Sequence, residues 1–311
     1  MHEEGHMKKY LTLAVKWSWK WIGVLILAIL VYPLNALMAA SDSPGHLTYM
    51  VTPHGGVDWT TGVATATGIG VPPKNPASAL QAKEMTRTAA WSIALRNLLE
   101  VVNGLYLDST TTVNNFVTSN DDVRARVEGM VQGAKLVQER ELPTGEFETT
   151  VQMKLGGPFS DLMLPKSPQK SEPLKRLELN APSQVVNPKK KQYTGVVIDA
   201  RGTGAKPCLA PRVLTTQGEE AYSAAYVDKT QATAGNSDDK NRIAWYVTNE
   251  DAAKTHARVA ANPLMVKALR AEGPNRTDLV IHDADAQLIQ LLPENFVFLK
   301  QAKVMVILDP M

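Results

Sequence analysis

Residues 146–155 read Glu-Phe-Glu-Thr-Thr-Val-Gln-Met-Lys-Leu. Phe147, Thr149, Val151, Met153 and Leu155 fall on one face of an extended chain, and Glu146, Glu148, Thr150, Gln152 and Lys154 on the other. Strict alternation of this kind belongs to a strand with one packed and one solvated face. Upstream, Ala134-Lys-Leu-Val-Gln-Glu-Arg-Glu141 is a second extended run, and Pro143-Thr144-Gly145 between them has turn chemistry. The two form a hairpin. A sheet that is wet on one side needs a cover on the other, so the fold turns on what precedes the hairpin.

A long helix precedes it. The spacing predicts helix from about Pro76 to Asn103, with Asn75 as N-cap, Pro76 at the first helical position and Gly104 as the stop. Met85, Ala89, Ile93 and Arg96 share one side, with Ala90, Ala94, Leu98 and Val101 adjoining. Small residues at helical spacing let a helix approach a sheet closely. Leu47–Val51 and Gly62–Gly70 read as strands, joined by a turn at His54-Gly55-Gly56. Leu105–Val113 reads as a further extended piece, and Val123–Gln132 as a short helix behind Asp121 or Asp122, ended by Gly133. The order β-β-α-β-α-β-β predicts an α+β domain over 42–157, an antiparallel sheet with helices on one face.

Residues 158–192 carry Pro158, Pro165, Pro168, Pro173, Pro182 and Pro188 and end in Lys189-Lys-Lys191, which reads as a solvated linker. A second domain follows over 193–311. Its runs Val196–Ile198, Ala221–Val227, Ala244–Val247, Leu264–Ala271, Leu279–His282 and Val304–Leu308 are strands. Asp283–Leu291 is a short helix with acidic residues in its first turn, so the domain is a mixed sheet of α/β type.

The chain has 311 residues, 44% hydrophobic and 21% charged, which is globular composition. Residues 1–40 place Lys8 and Lys9 before an apolar core, Trp21 to Tyr32, with Pro33 and Leu37-Met-Ala-Ala-Ser41 after it. That order is a signal peptide, cleaved after Ala39 or Ala40, or a retained signal anchor. The chain is therefore expected in the periplasm or cell envelope of a bacterium, with membrane contact only through an uncleaved amino-terminal segment. Without these residues the 33 basic and 31 acidic residues become 29 of each. A neutral body gives no reason to expect nucleic acid as a partner. Cys208 is the single cysteine, so no intrachain disulfide forms, and no lipid-anchoring cysteine stands near the cleavage point.

Few residues suggest chemistry. Val196-Val-Ile-Asp-Ala-Arg-Gly-Thr-Gly204 could set Asp199, Arg201, Gly202 and Gly204 at a strand end as a small-ligand loop, or be an Asp–Arg pair ordering a turn. It lacks the third glycine of a dinucleotide fingerprint and the Gly-Lys-Ser/Thr of a phosphate loop. His46, His54, His256 and His282 have no partner at helical metal spacing, and Asp283 and Asp285 suit a helix start. No metal site or cofactor is expected. Cys208, between Pro207 and Leu209, reads as a buried free thiol, and no Gly-x-Ser-x-Gly elbow occurs.

The helix with Arg87, Ala89, Ala90, Ala94 and Asn97-Leu98-Leu99 resembles a bacterial envelope family over residues 77–155. The likeness continues through Thr110-Thr111-Thr112-Val113, Val123–Gly133, Gly133-Ala-Lys-Leu-Val-Gln-Glu-Arg140 and Gly145-Glu-Phe-Glu-Thr-Thr-Val151. That family comprises the twenty-kilodalton membrane-associated lipoproteins and the amino-terminal domain of flagellar assembly protein T. The resemblance implies an α+β module that assembles with other envelope proteins and carries no catalytic residues. The functional expectation is an exported, non-catalytic interaction or assembly module, flagellum-associated in the finer reading. Its partners would be other envelope proteins or copies of itself. The alternative is a periplasmic small-ligand-binding protein built on Asp199 and Arg201.

Overall fold

A computed structural model describes residues 45–164, 193–228, 241–291 and 293–310. The signal segment and the run Lys189–Lys191 lie outside the described residues. The first sheet is antiparallel, built from β1 (Thr48–Thr52), β2 (Gly55–Asp58), β3 (Val63–Gly70), β4 (Lys135–Glu141) and β5 (Phe147–Lys154) in the order β1-β2-β3-β5-β4. The alternation in β5 holds as read, with Phe147, Thr149, Val151, Met153 and Leu155 all buried. β2 occupies the place assigned to a turn. Gly55 and Gly56 form a strand there because both neighbouring strands come so close that side chains would not fit.

Helix α1 (Ala79–Asn103) covers the inner face of this sheet. It begins three residues later than the Asn75–Pro76 signal suggests, capped by Ser78, whose side chain accepts from the Gln81 amide. Its packed face is Thr86, Ala90, Ala94, Asn97, Leu98 and Val101, while Met85 is 49% exposed. The face is thus rotated from the one headed by Met85. The reason lies in the sheet, where Gly68 and Gly70 of β3 bring backbone against the backbone of Thr86, Ala90 and Ala94. Helices α2 (Val113–Thr118) and α3 (Asp121–Gln132) follow, capped by Thr112 and Asn120. Asp121 and Asp122 stand in the first turn of α3, just inside the cap.

Leu105–Thr112 adds no strand to the sheet. It is a loop closed by one isolated bridge, Tyr106 to Thr112, with Asp108 accepting from the amides of Thr110 and Thr111. Residues 158–164, read from the sequence as linker, begin with helix α4 (Pro158–Met163), which buries Phe159, Met163 and Leu164. Pro158 at its first position is a helix starter rather than a linker residue.

The second sheet is mixed. It contains β6 (Val196–Asp199), β7 (Val213–Leu214), β8 (Glu220–Tyr222), β9 (Trp245–Val247), β10 (Leu264–Glu272), β11 (Asp278–Ile281) and β12 (Val304–Ile307), ordered β8-β7-β11-β10-β6-β12-β9. Strands β10, β6, β12 and β9 run parallel, and β6, β12 and β9 are buried on both faces, which explains their unbroken apolar runs, while β10 exposes Lys267, Leu269 and Arg270. Val197, Trp245, Val247, Met305 and Ile307 pack on α5 (Glu250–Thr255), while Val196, Ile198, Val304 and Val306 belong to the core shared with the first sheet. Helices α6 (Asp283–Leu291) and α7 (Pro293–Lys300) lead into β12. The architecture is α+β, an antiparallel sheet with helices followed by a mixed sheet.

The two halves meet through polar pins as well as apolar packing. Arg242 donates to the Trp59 and Thr60 carbonyls and lies 4.4 Å from the Trp245 ring centre, with Arg258 on that ring at 3.6 Å. Trp59 meets Tyr246 edge to face at 5.5 Å, and Thr60 donates to the Tyr246 carbonyl. No helix among the described residues is long and apolar enough to cross a membrane.

Candidate functional site

The structure brings Asp199 and Arg201 together at the end of β6. The guanidinium clasps the carboxylate with Nε–Oδ1 at 2.8 Å and Nη2–Oδ2 at 2.5 Å. These hydrogen bonds hold the Asp199 carboxyl below its usual range. Gly202 and Gly204 turn the chain with φ of +77° and +66°, and the Gly202 amide donates to Asp309 at 2.8 Å. Arg276 donates to the Thr203 carbonyl beside them. The loop stands at the carboxyl ends of parallel strands, where open α/β sheets take ligands. Its polar groups, however, satisfy one another, and none of its residues lines the two clefts described next.

A cleft of about 1290 Å³ opens between the halves. One wall is the 108–111 loop with α2 and α3, the floor is α4, and the far wall is Arg212, Glu220 and Ser223–Ala225. Arg212 is fixed from behind by a two-pronged pair with Asp278, whose side chain is 3% exposed, and its Nη2 also donates to Ser109 Oγ at 3.2 Å. Second-half residues clamp the loop. Leu209 and Ala210 amides donate to the Tyr106 and Leu107 carbonyls at 3.0 and 2.8 Å, and the Asn275 amide donates to Ser109. Sequence reading missed Ser109, Arg212 and Asp278. The visible signal was Asp108-Ser-Thr-Thr111, an Asx-turn sequence read instead as extended.

Asp108, Asp122, Asp161 and Glu220 line this cleft together with Arg126 and Arg212. No histidine is among the described residues that line it. Its candidate nucleophiles are committed, Ser109 accepting from Arg212 and Ser223 donating to Glu220 Oε1 at 2.5 Å. Cys208 is buried, its amide 3.2 Å from the Tyr246 hydroxyl, and burial pushes the thiol up to about 12. Such a thiol is a poor nucleophile. Asp283 and Asp285 stand in the first turn of α6, as the helix-start reading expects, and Asp283 also accepts from the Thr216 amide and hydroxyl. Among the described residues no cluster of His, Cys, Asp and Glu has the geometry of a metal site.

A second groove, about 680 Å³, follows a step in the first sheet. β2 pairs only with Val63–Ala66, so β3 continues past it alone. Thr67 is still satisfied, its amide donating to the His54 carbonyl and its carbonyl accepting from Asn97 Nδ2 at 2.7 Å. Beyond it the Ile69 amide and carbonyl face the side where no strand lies among the described residues. Ile93 and Arg96 of α1 and Met50 of β1 line the groove, and Ile69, Val71 and Met50 are 46, 65 and 60% exposed.

The opposite edge is different. β4 carries a bulge between Leu136 and Gln138, and three of its side chains are paired: Glu139 with Arg87 at 2.8 Å, Arg140 with Glu148 at 2.9 Å and Glu141 with Lys83 at 2.8 Å. Bulges and charges are how natural sheets guard an edge. The second sheet's β8 edge is capped by Gln290, which donates to the Glu220 and Ala221 carbonyls.

Residues 195–310 match the family model of the second domain of Treponema pallidum Tp0624. The matched stretch runs from β6 to just past β12 and includes Asp199, Arg201, Arg212 and Asp278. It does not reach residues 77–155, on which the resemblance to the lipoprotein and flagellar assembly family rests. No curated protein matches the chain.

Proposed function

We propose that this chain is an exported protein of the bacterial cell envelope that works by non-catalytic protein–protein interaction or assembly. The observation that carries the reading is the contrast between its interior and its edges. Every nucleophile named above is buried or bonded to a neighbour, whereas the first sheet leaves an uncharged, apolar length of strand edge unpaired. Strand edges are templates for association. The resemblance of residues 77–155 supports the finer reading, assembly near a flagellum. Other envelope proteins and copies of the chain are the partners proposed.

The test is capture of the full chain from the envelope fraction of the bacterium that makes it, with partners identified by mass. Exported or envelope partners are expected, flagellar basal-body components among them if the finer reading holds. Cytosolic partners alone would overturn the proposal. The mass of the exported chain decides between a cleaved signal and a retained anchor. A second reading, a ligand loop at Asp199 and Arg201, draws support from its place at the carboxyl ends of parallel strands. It requires that double substitution of both residues by alanine abolish binding of a small anion without unfolding the chain.

A further inference from the structure

We infer that the β3 half-edge is a docking slot for an extended partner segment bearing a carboxylate, which adds to the sheet beside Ile69 and sets its charge against Arg96. This rests on the interaction reading above and names the kind of partner that reading requires. Three observations converge. First, the length mismatch between β2 and β3 leaves the Ile69 amide and carbonyl facing the β2 side, where no strand lies among the described residues. An added strand there continues β2's own line after the chain has turned away at Pro53-His54 into β1. Second, the gap is walled by apolar side chains that are exposed, Ile69 and Met50, with Ile93 of α1 on the far side. Third, Arg96 lines the same groove and forms no ion pair among the described residues, whereas the groove's carboxylate, Asp58, is taken up by the Thr60 and Thr61 amides and by His46, and Lys83 and Arg87 of the same helix are paired with β4.

Charge complementarity therefore selects the occupant. An extended segment gains backbone hydrogen bonds from Ile69, apolar contact on alternate residues and one charge-assisted contact at Arg96. A basic segment forfeits the charge-assisted contact at Arg96, and a proline at the paired position forfeits a backbone hydrogen bond. The chemistry points to a short acidic, β-branched stretch of another envelope protein rather than a second β4-type edge.

The experiment pans a displayed library of random heptapeptides against the full chain and against Arg96→Glu, an exposed substitution that leaves the core untouched. Peptides with Asp or Glu flanked by Val, Ile or Thr are expected from the parent chain. Arg96→Glu should exchange the acidic preference for Lys or Arg and weaken the parent's best peptide by about tenfold or more. Replacing single amides of that peptide by esters should weaken it at alternate positions only, as strand addition demands. A parent selection without acidic peptides, one unchanged by Arg96→Glu, or a peptide indifferent to ester replacement would each overturn the slot. Partners found by envelope capture whose binding survives Arg96→Glu and Ile69→Pro would overturn the slot while leaving the interaction reading intact.

Discussion

Replacing Gly68 by alanine tests the contact on which the first half is built. A Cβ placed on Gly68 would stand 2.5 Å from the Ala90 carbonyl oxygen and 2.8 Å from the Ala94 Cα. Ordinary contacts between such atoms lie at about 3.5–4.0 Å, so roughly an ångström must be found. Both atoms are helix backbone, and no side-chain rotation relieves them. Helix α1 must lift from β3, and the gap would loosen Leu98 and Val101 against Ala66 and Val151, all buried in the same core. Overpacking by one methyl costs about 1–3 kcal/mol, and the void opened alongside brings the expected loss to about 3 kcal/mol. Two control glycines set the scale. Gly129 lies in α3 with nothing within 4 Å of its added Cβ, so Gly129→Ala should stabilise by about 0.5–1 kcal/mol. Gly202 is equally open but has φ of +77°, so Gly202→Ala should cost about 1–2 kcal/mol from backbone strain alone. Urea unfolding followed by tryptophan fluorescence gives the three values. A Gly68→Ala chain within about 0.5 kcal/mol of the parent would refute the close helix–sheet approach.

Thr149, directly across from Gly68 in the sheet, has a buried hydroxyl oxygen without a hydrogen-bond partner among the described residues, so Thr149→Val should raise stability by about 1 kcal/mol in the same assay. Arg212→Ala leaves the Asp278 carboxylate buried and uncompensated and should cost about 3 kcal/mol, whereas the double variant Arg212→Met with Asp278→Leu should recover most of it; a harmless single variant would show the pair to be ornamental. Cys208 should resist a thiol reagent at pH 8 in the folded chain and react fully in urea. Because its folded pKa lies above the unfolded value near 8.5, its contribution is complete below that pH and is lost as pH rises toward about 12; Cys208→Ala should flatten that alkaline decline, read from urea midpoints between pH 8 and 11.

The strands and the long helix were legible because burial alternates along them in the period their geometry imposes. β5 shows its packed face in its own sequence, and the parallel strands announce themselves as Val-Val-Ile and Val-Met-Val-Ile because both faces are buried. Features set by distant partners were not legible. On α1 the spacing shows Ala90, Ala94, Leu98 and Val101, which are buried, but not that Met85 turns outward, because Gly68 and Gly70 of another element decide which residues can approach. β2 was read as a turn, since two glycines signal flexibility locally and close strand packing only in context. The Leu105–Thr112 loop has strand-like composition but spends its backbone groups on Leu209, Ala210 and Asn275, about a hundred residues or more away. Asp199 and Arg201 were seen correctly as neighbours at a strand end, yet nothing local says that they clasp each other.

The same distinction bears on function. Edge protection is visible in β4, whose Lys135, Glu139, Arg140 and Glu141 are charged and whose ladder is bulged. Edge exposure is visible only in three dimensions, because Gly68-Ile-Gly-Val71 is a plain apolar run until β2 is found to stop short of it. Charging Ile69 would have guarded the edge at small structural cost, since that side chain is already 46% exposed. The sheet sets three ion pairs around β4, where Leu136 and Val137 stay 40 and 52% exposed, and leaves the end of β3 past β2 apolar beside Arg96, which forms no ion pair among the described residues. An exposed apolar edge is an aggregation hazard unless something covers it, and that asymmetry favours a specific occupant over neglect.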